Sequence, residues 1–172
     1  MNTLFEVGGK IQPEVKVYIV SHPKAGRTWL RVMLGSLLCN EYGYPDKIML
    51  DLFALTRAAK ILPAQFTHDC SAIVDAFSYN DLSPDKSGFH DKHVIFLTRC
   101  IKDLLVSCFF QATKRIKCFQ GDLHSFIRDE RFGALKVAVF NAQWYAARSI
   151  PQEFLTVKYE DLHLNPRRAL LE

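Results

Sequence analysis

Val15-Lys16-Val17-Tyr18-Ile19-Val20-Ser21-His22-Pro23-Lys24-Ala25-Gly26-Arg27-Thr28-Trp29 is the stretch on which the fold turns. Its first seven residues, Val15 to Ser21, are the short β-branched run expected of a buried strand, and the run breaks at His22-Pro23. From Thr28 to about Tyr42 apolar residues recur at helical spacing, with Gly43 placed to end the helix. The pattern predicts strand, loop, helix. It also predicts a buried helical stripe of Trp29, Val32, Met33 and Leu37, with Leu30 beside it.

The same unit returns downstream. His93 to Thr98 (HVIFLT) repeats the strand signature and runs through Arg99 into Lys102 to Arg115, where Leu104, Leu105, Cys108, Phe109 and Ala112 mark a helical face. Asp51 to Lys60 reads as another helix, stopped by Pro63, and residues 78–91, rich in Ser, Asp, Pro and Gly, read as a loop. Residues 122–131 and 134–148 read as helices and Phe154 to Tyr159 as a third strand. Asn165-Pro166 pairs a capping side chain with proline at a first helical position. Strands alternating with helices, each strand nearly continuously apolar, predict an α/β fold with a central parallel sheet and helices on both faces.

A chain of 172 residues with 49% hydrophobic content can bury one core, so a single domain over 1–172 is expected. Its 22 basic and 18 acidic side chains leave a net charge of +4, which suits a small anionic ligand. A protein that neutralises many nucleic-acid phosphates needs a more concentrated basic stripe, so nucleic acid is not an expected partner. The five cysteines are scattered and never spaced CxxC, which signals neither a disulfide framework nor a zinc site but free thiols in a reducing cytosol. No apolar run approaches the roughly 18 residues of a membrane helix, and the first ten residues lack the order of a secretory signal. A cytoplasmic protein with no membrane segment is the expectation.

In an open parallel sheet, ligands bind beyond the carboxyl ends of the strands, where His22 to Trp29 lie. A turn of small residues opening into a helix aims backbone N–H groups and the positive end of the helix dipole at one point. An anion belongs there. Gly26 admits close approach of the backbone, Lys24 and Arg27 supply charge, and Thr28 offers a hydroxyl. Lys24 precedes the glycine, so this is not the GxxxxGK[ST] loop of ATP-dependent enzymes.

HPKAGRTWLR closely resembles the 5′-phosphosulfate loop of the sulfotransferases that use 3′-phosphoadenosine 5′-phosphosulfate (PAPS), commonly written PKSGTTW. The resemblance implies a P-loop-type three-layer fold and assigns Lys24, Ala25, Gly26, Arg27 and Thr28 to the 5′-phosphosulfate. It sets Trp29 against the adenine, although a large aromatic on such a helix also serves as plain core. Arg27 stands where the family usually has a hydroxyl residue. The family also uses an arginine ending a strand, with a serine eight positions later, for the 3′-phosphate. Arg99 and Ser107, in RCIKDLLVS, resemble that RNPKDVLVS segment. A third match, Val157 to Leu162 followed by Asn165-Pro166, resembles the family's YEDL turn and is read as architectural.

For the chemistry, the resemblance implies that Lys24 stabilises the leaving phosphate and that His68, in a segment similar to the family's KTH, deprotonates the acceptor. His22 is the second candidate base. No metal is expected, because Lys, Arg and backbone N–H groups offset the charge of the sulfuryl group and no carboxylate cluster is visible. The implied acceptor is a small molecule or glycan carrying a hydroxyl or amine, and the implied product is adenosine 3′,5′-bisphosphate (PAP). Oligomeric state has no sequence signal. The family's C-terminal Gly-rich basic motif, which closes over the 3′-phosphate and adenine, has no counterpart here, so the expected domain is C-terminally incomplete. Two alternatives stay open: a catalytically inactive module that binds PAP or another nucleotide, and an ATP-dependent small-molecule kinase.

Overall fold

A computed structural model describes residues 11–75 and 77–171 of the chain. Four strands, β1 (Val17–Ser21), β2 (Ala64–Thr67), β3 (His93–Thr98) and β4 (Glu153–Lys158), form one sheet in the order β2-β1-β3-β4. Every neighbouring pair is parallel, with Ile19 of β1 in register with Phe66 of β2 and Ile95 of β3. The sequence predicts three of these strands. The fourth, β2, is only four residues long and follows Pro63, too short for its alternation to be distinguished from a loop.

Period-two alternation sends side chains to two separate cores. Ile19, Phe66 and Leu97 pack with Leu30 of helix α1 (Arg27–Tyr42), Leu52 of α2 (Leu52–Ala58) and Leu104 of α3 (Ile101–Phe110). Tyr18, Val20, Val94 and Phe96 pack instead with Phe140 and Trp144 of α5 (Ala134–Ala146), which follows the short α4 (Leu123–Arg128). The parallel sheet is therefore flanked by helices on both faces, the layering the strand composition predicts. Each aliphatic side chain fully buried in these layers contributes about 1.5–3 kcal/mol.

Helix α1 is rotated from its predicted setting. Trp29 and Leu37 are 45% and 50% exposed, Val32 and Met33 are half-buried, and the fully buried residues are Leu30, Gly35 and Cys39. Two stripes fit the helix's apolar spacing, and the sheet selects the one through Leu30, Leu34 and Leu38, which packs in the first core together with Met33. Gly35 belongs to that face because a Cβ there would strike the Met49 carbonyl. The predicted stop is found: Gly43 has φ 67° and its N–H donates to the Cys39 carbonyl.

Beyond β4, α6 (Tyr159–Leu164) is followed by α7 (Pro166–Leu171), and the Asn165 side chain accepts the Arg168 N–H at 3.1 Å as a cap. The predicted helix over Lys102–Arg115 is α3 only to Phe110, then a π-helical stretch from Gln111 to Arg115. Residues 78–91 are mainly loop, as read, with 3-10 turns at Tyr79–Asp81 and Ser87–Phe89 that bury Leu82, Lys86 and Phe89. The five cysteines are free thiols. Among the described residues no helix is long and apolar enough to cross a membrane.

Candidate functional site

At the carboxyl ends of β1, β2 and β3 lies a cavity of about 780 Å³, walled by the turn before α1, the segment after β2 and the start of α3. Lys24, Gly26, Arg27, Thr28 and Trp29 line it from the first turn, His68 from the second, and Arg99 and Ser107 from the third. Residues read from three separate stretches of sequence thus converge on one space.

Local chemistry shapes the first wall. The chain leaves β1 and reverses through Lys24 and Gly26, with φ 66° and 105°, a backbone region that favours glycine. Gly26 is doubly required, because a Cβ added to it would collide with the Tyr159 ring. Gly26 is the N-cap of α1, yet no side chain caps it and no acidic residue stands in the first turn. By contrast, Asp51 and Asp122 cap α2 and α4. The 16-residue α1 therefore presents its first N–H groups and positive dipole end to the cavity. The Lys24 ammonium lies beside this turn, 3.5 Å from Gln111 Oε1, the outer limit of a hydrogen bond. Ala25 lies in the same turn with its side chain buried in the first core and its N–H donating to the His22 carbonyl at 3.3 Å.

Arg99, at the end of β3, reaches back to the same turn. Its Nη1 donates to the Lys24 carbonyl at 3.1 Å, and its guanidinium carbon lies 4.4 Å from the Tyr159 ring centroid. The Arg99 Nε is buried and has no hydrogen-bond partner. An unmet buried donor costs roughly 1–3 kcal/mol, and an anion placed in the guanidinium fork would satisfy it. Ser107, two turns into α3, faces the cavity from the same side as Arg99.

His68 is the first residue past β2, and its Nδ1 lies 2.8 Å from the Ser21 carbonyl. A carbonyl only accepts, so Nδ1 carries the proton and Nε2 keeps its lone pair. Burial first, then the nearby Arg27 charge, lower the His68 pKa to about 3. The imidazole is therefore neutral at pH 7 and able to accept a proton, and an anion beside Arg27 would offset part of that depression. His22, the other candidate base, does not line the cavity. It is buried edge-on against Phe140, its Nδ1 lies 3.2 Å from the Pro23 carbonyl and its Nε2 has no partner; burial lowers its pKa to about 3.

Three cavity residues escape sequence reasoning. Tyr159 belongs to the turn read as architectural, yet its ring packs on Gly26 and Arg99 and lines the cavity. Gln111 and Arg115 reach the cavity through the π-helical stretch, which has no periodicity signal and is a feature often found at functional sites. Among the described residues, no group of three or more His, Cys, Asp or Glu side chains is arranged to hold a metal ion. The cations Lys24, Arg27, Arg99 and Arg115 dominate the lining and suit an anionic ligand.

No family model matches the chain, and no curated protein matches it.

Proposed function

We propose that this chain is a PAPS-dependent sulfotransferase on a P-loop-type fold, transferring a sulfuryl group to an acceptor hydroxyl or amine on a small molecule or glycan. The observation that carries the reading is the bond from Arg99 to the Lys24 carbonyl, 75 residues away, with one buried N–H of Arg99 left without a partner. It brings two cationic subsites to one cavity, as a nucleotide phosphorylated at both ends requires. The free thiols suit a reducing compartment such as the cytoplasm.

The reaction follows from the charges. The 5′-phosphosulfate lies over the α1 N-terminus, between Lys24 and Arg27, with Thr28 as a further donor, and the 3′-phosphate lies between Arg99 and Ser107. Trp29, exposed at the rim, offers a face to the adenine. As the acceptor oxygen or nitrogen bonds to sulfur, His68 Nε2 takes its proton and the bond from sulfur to the bridging oxygen breaks. The electron pair leaves on the phosphate of PAP, where Lys24 and the α1 N–H groups stabilise it.

A thermal-shift comparison of PAP with AMP, ADP and ATP, followed by transfer of radiolabelled sulfate from PAPS, tests the reading. PAP at about 100 times its Kd stabilises the fold by about 2.7 kcal/mol, a rise of roughly 5–10 °C at this chain length. AMP and ADP are expected to do less. Stabilisation without transfer would identify a binding module, and preference for ATP with magnesium would identify a kinase. Undiminished transfer by His68→Ala would remove His68 from its role.

A further inference from the structure

Next to His68, at Asp69 in the cavity wall, a polar cluster sits against the second core. Lys86, only 3% exposed, donates from Nζ to Asp69 Oδ2 at 2.6 Å and to the Ser83 carbonyl at 2.6 Å. Trp144, fully buried, donates its indole N–H to the same Asp69 oxygen at 2.9 Å, and the Lys86 ammonium lies 5.1 Å from the Trp144 ring centroid. Such a pair is a poor way to gain stability, since an apolar replacement of similar volume is often neutral or better. Its value lies in specifying one geometry.

That geometry belongs to the residue following His68. Asp69 and Cys70 have φ of 45° and 64°, two successive non-glycine residues in the left-handed region, which persist only where surroundings over-determine them. Locally, the Asp69 N–H donates to Thr67 Oγ1 at 3.0 Å, and Ser71 donates to the His68 carbonyl from its N–H at 2.9 Å and its hydroxyl at 2.6 Å. Beside the His68 bond to Ser21 of β1, the Asp69 carboxylate ties this turn to two further elements, the 78–91 loop through Lys86 and α5 through Trp144.

We infer that Asp69, gripped by Lys86 and Trp144, is a positioning residue that holds the His68 imidazole with Nδ1 on the Ser21 carbonyl and Nε2 toward the acceptor. This rests on the reading of His68 as the base, but the geometry it describes is measurable without catalysis. Nitrogen-15 NMR of the labelled full chain reports the His68 tautomer. The wild-type chain should show the Nδ1–H form alone. The paired variant Lys86→Met with Asp69→Asn removes both charges together, leaving neither buried alone, and should give a mixture of tautomers. Its kcat should fall at least tenfold, while KM for PAPS stays within twofold. Trp144→Phe keeps the ring, removes only the N–H, and should move both readouts the same way but less; it decides the matter if the paired variant does not fold. An unmixed Nδ1–H tautomer in the variants overturns the inference, whatever their activity. A wild-type chain that transfers no sulfate, with variants that mix tautomers, would sink the sulfotransferase reading and leave the clamp standing.

Discussion

The two ends of the cavity are built by different means. The end at Lys24 and Arg99 is made by two strand-to-helix turns, so its donors are held by β1, α1, β3 and α3 and by the backbone itself. The end at His68 is made by loop and 3-10 segments, and side chains fix it. Lys86 and Trp144 hold Asp69, and the buried Lys136 donates to the Phe77 carbonyl at 2.6 Å. Their charges differ in consequence. At the first end Lys24 and Arg99 donate to an amide and a backbone carbonyl oxygen and Arg99 lies over the Tyr159 ring, whereas at the second the Asp69 carboxylate is neutralised by Lys86. The contrast teaches that a cationic turn can be held by regular elements and backbone alone, whereas a wall made of loops needs buried polar anchors to fix it.

The comparison breaks most sharply at Lys24. On the proposed sulfotransferase reading, Lys24→Met should lower turnover of radiolabelled sulfate by about 10²–10³, the usual loss when one preorganised stabiliser of a leaving charge is removed, while His68 keeps its tautomer. Next in size is Gly26→Ala. Left-handed strain of roughly 1–2 kcal/mol adds to the collision with Tyr159, so chemical denaturation should show a loss above about 2 kcal/mol.

Acid probes the junction of the two ends. His22 and His68 both have folded pKa values near 3, below the unfolded 6.5, so between those values the unfolded chain binds more protons and stability falls as pH falls. The slope approaches about 1.4 kcal/mol per pH unit for each histidine. Urea unfolding at pH 7 and pH 5 should show it, and His68→Gln should remove about half. A flat profile would mean that neither imidazole is buried as described. The smallest effect is expected at Val74, 62% exposed in the cavity wall that also carries His68. Val74→Ser should change stability by less than about 0.5 kcal/mol and leave the thermal shift with PAP unaltered.

Much of this was legible in sequence because it is local. Strand runs at 15–21 and 93–98, the break at His22-Pro23, the stop at Gly43 and the cap at Asn165 each depend on a few neighbouring residues, and together they determined a parallel α/β order and the place of the turn before α1 at the carboxyl ends of the strands. Periodicity did not decide which stripe of α1 meets the sheet, since Trp29 and Leu30 both begin acceptable stripes; packing chose Leu30. Nor could spacing show that Arg99 bonds to Lys24, that the Tyr159 ring closes on Gly26, or that Asp69 meets Lys86 and Trp144. These contacts join residues 17 to 133 positions apart in the chain, and only burial of the sheet's two faces brings them within bonding distance.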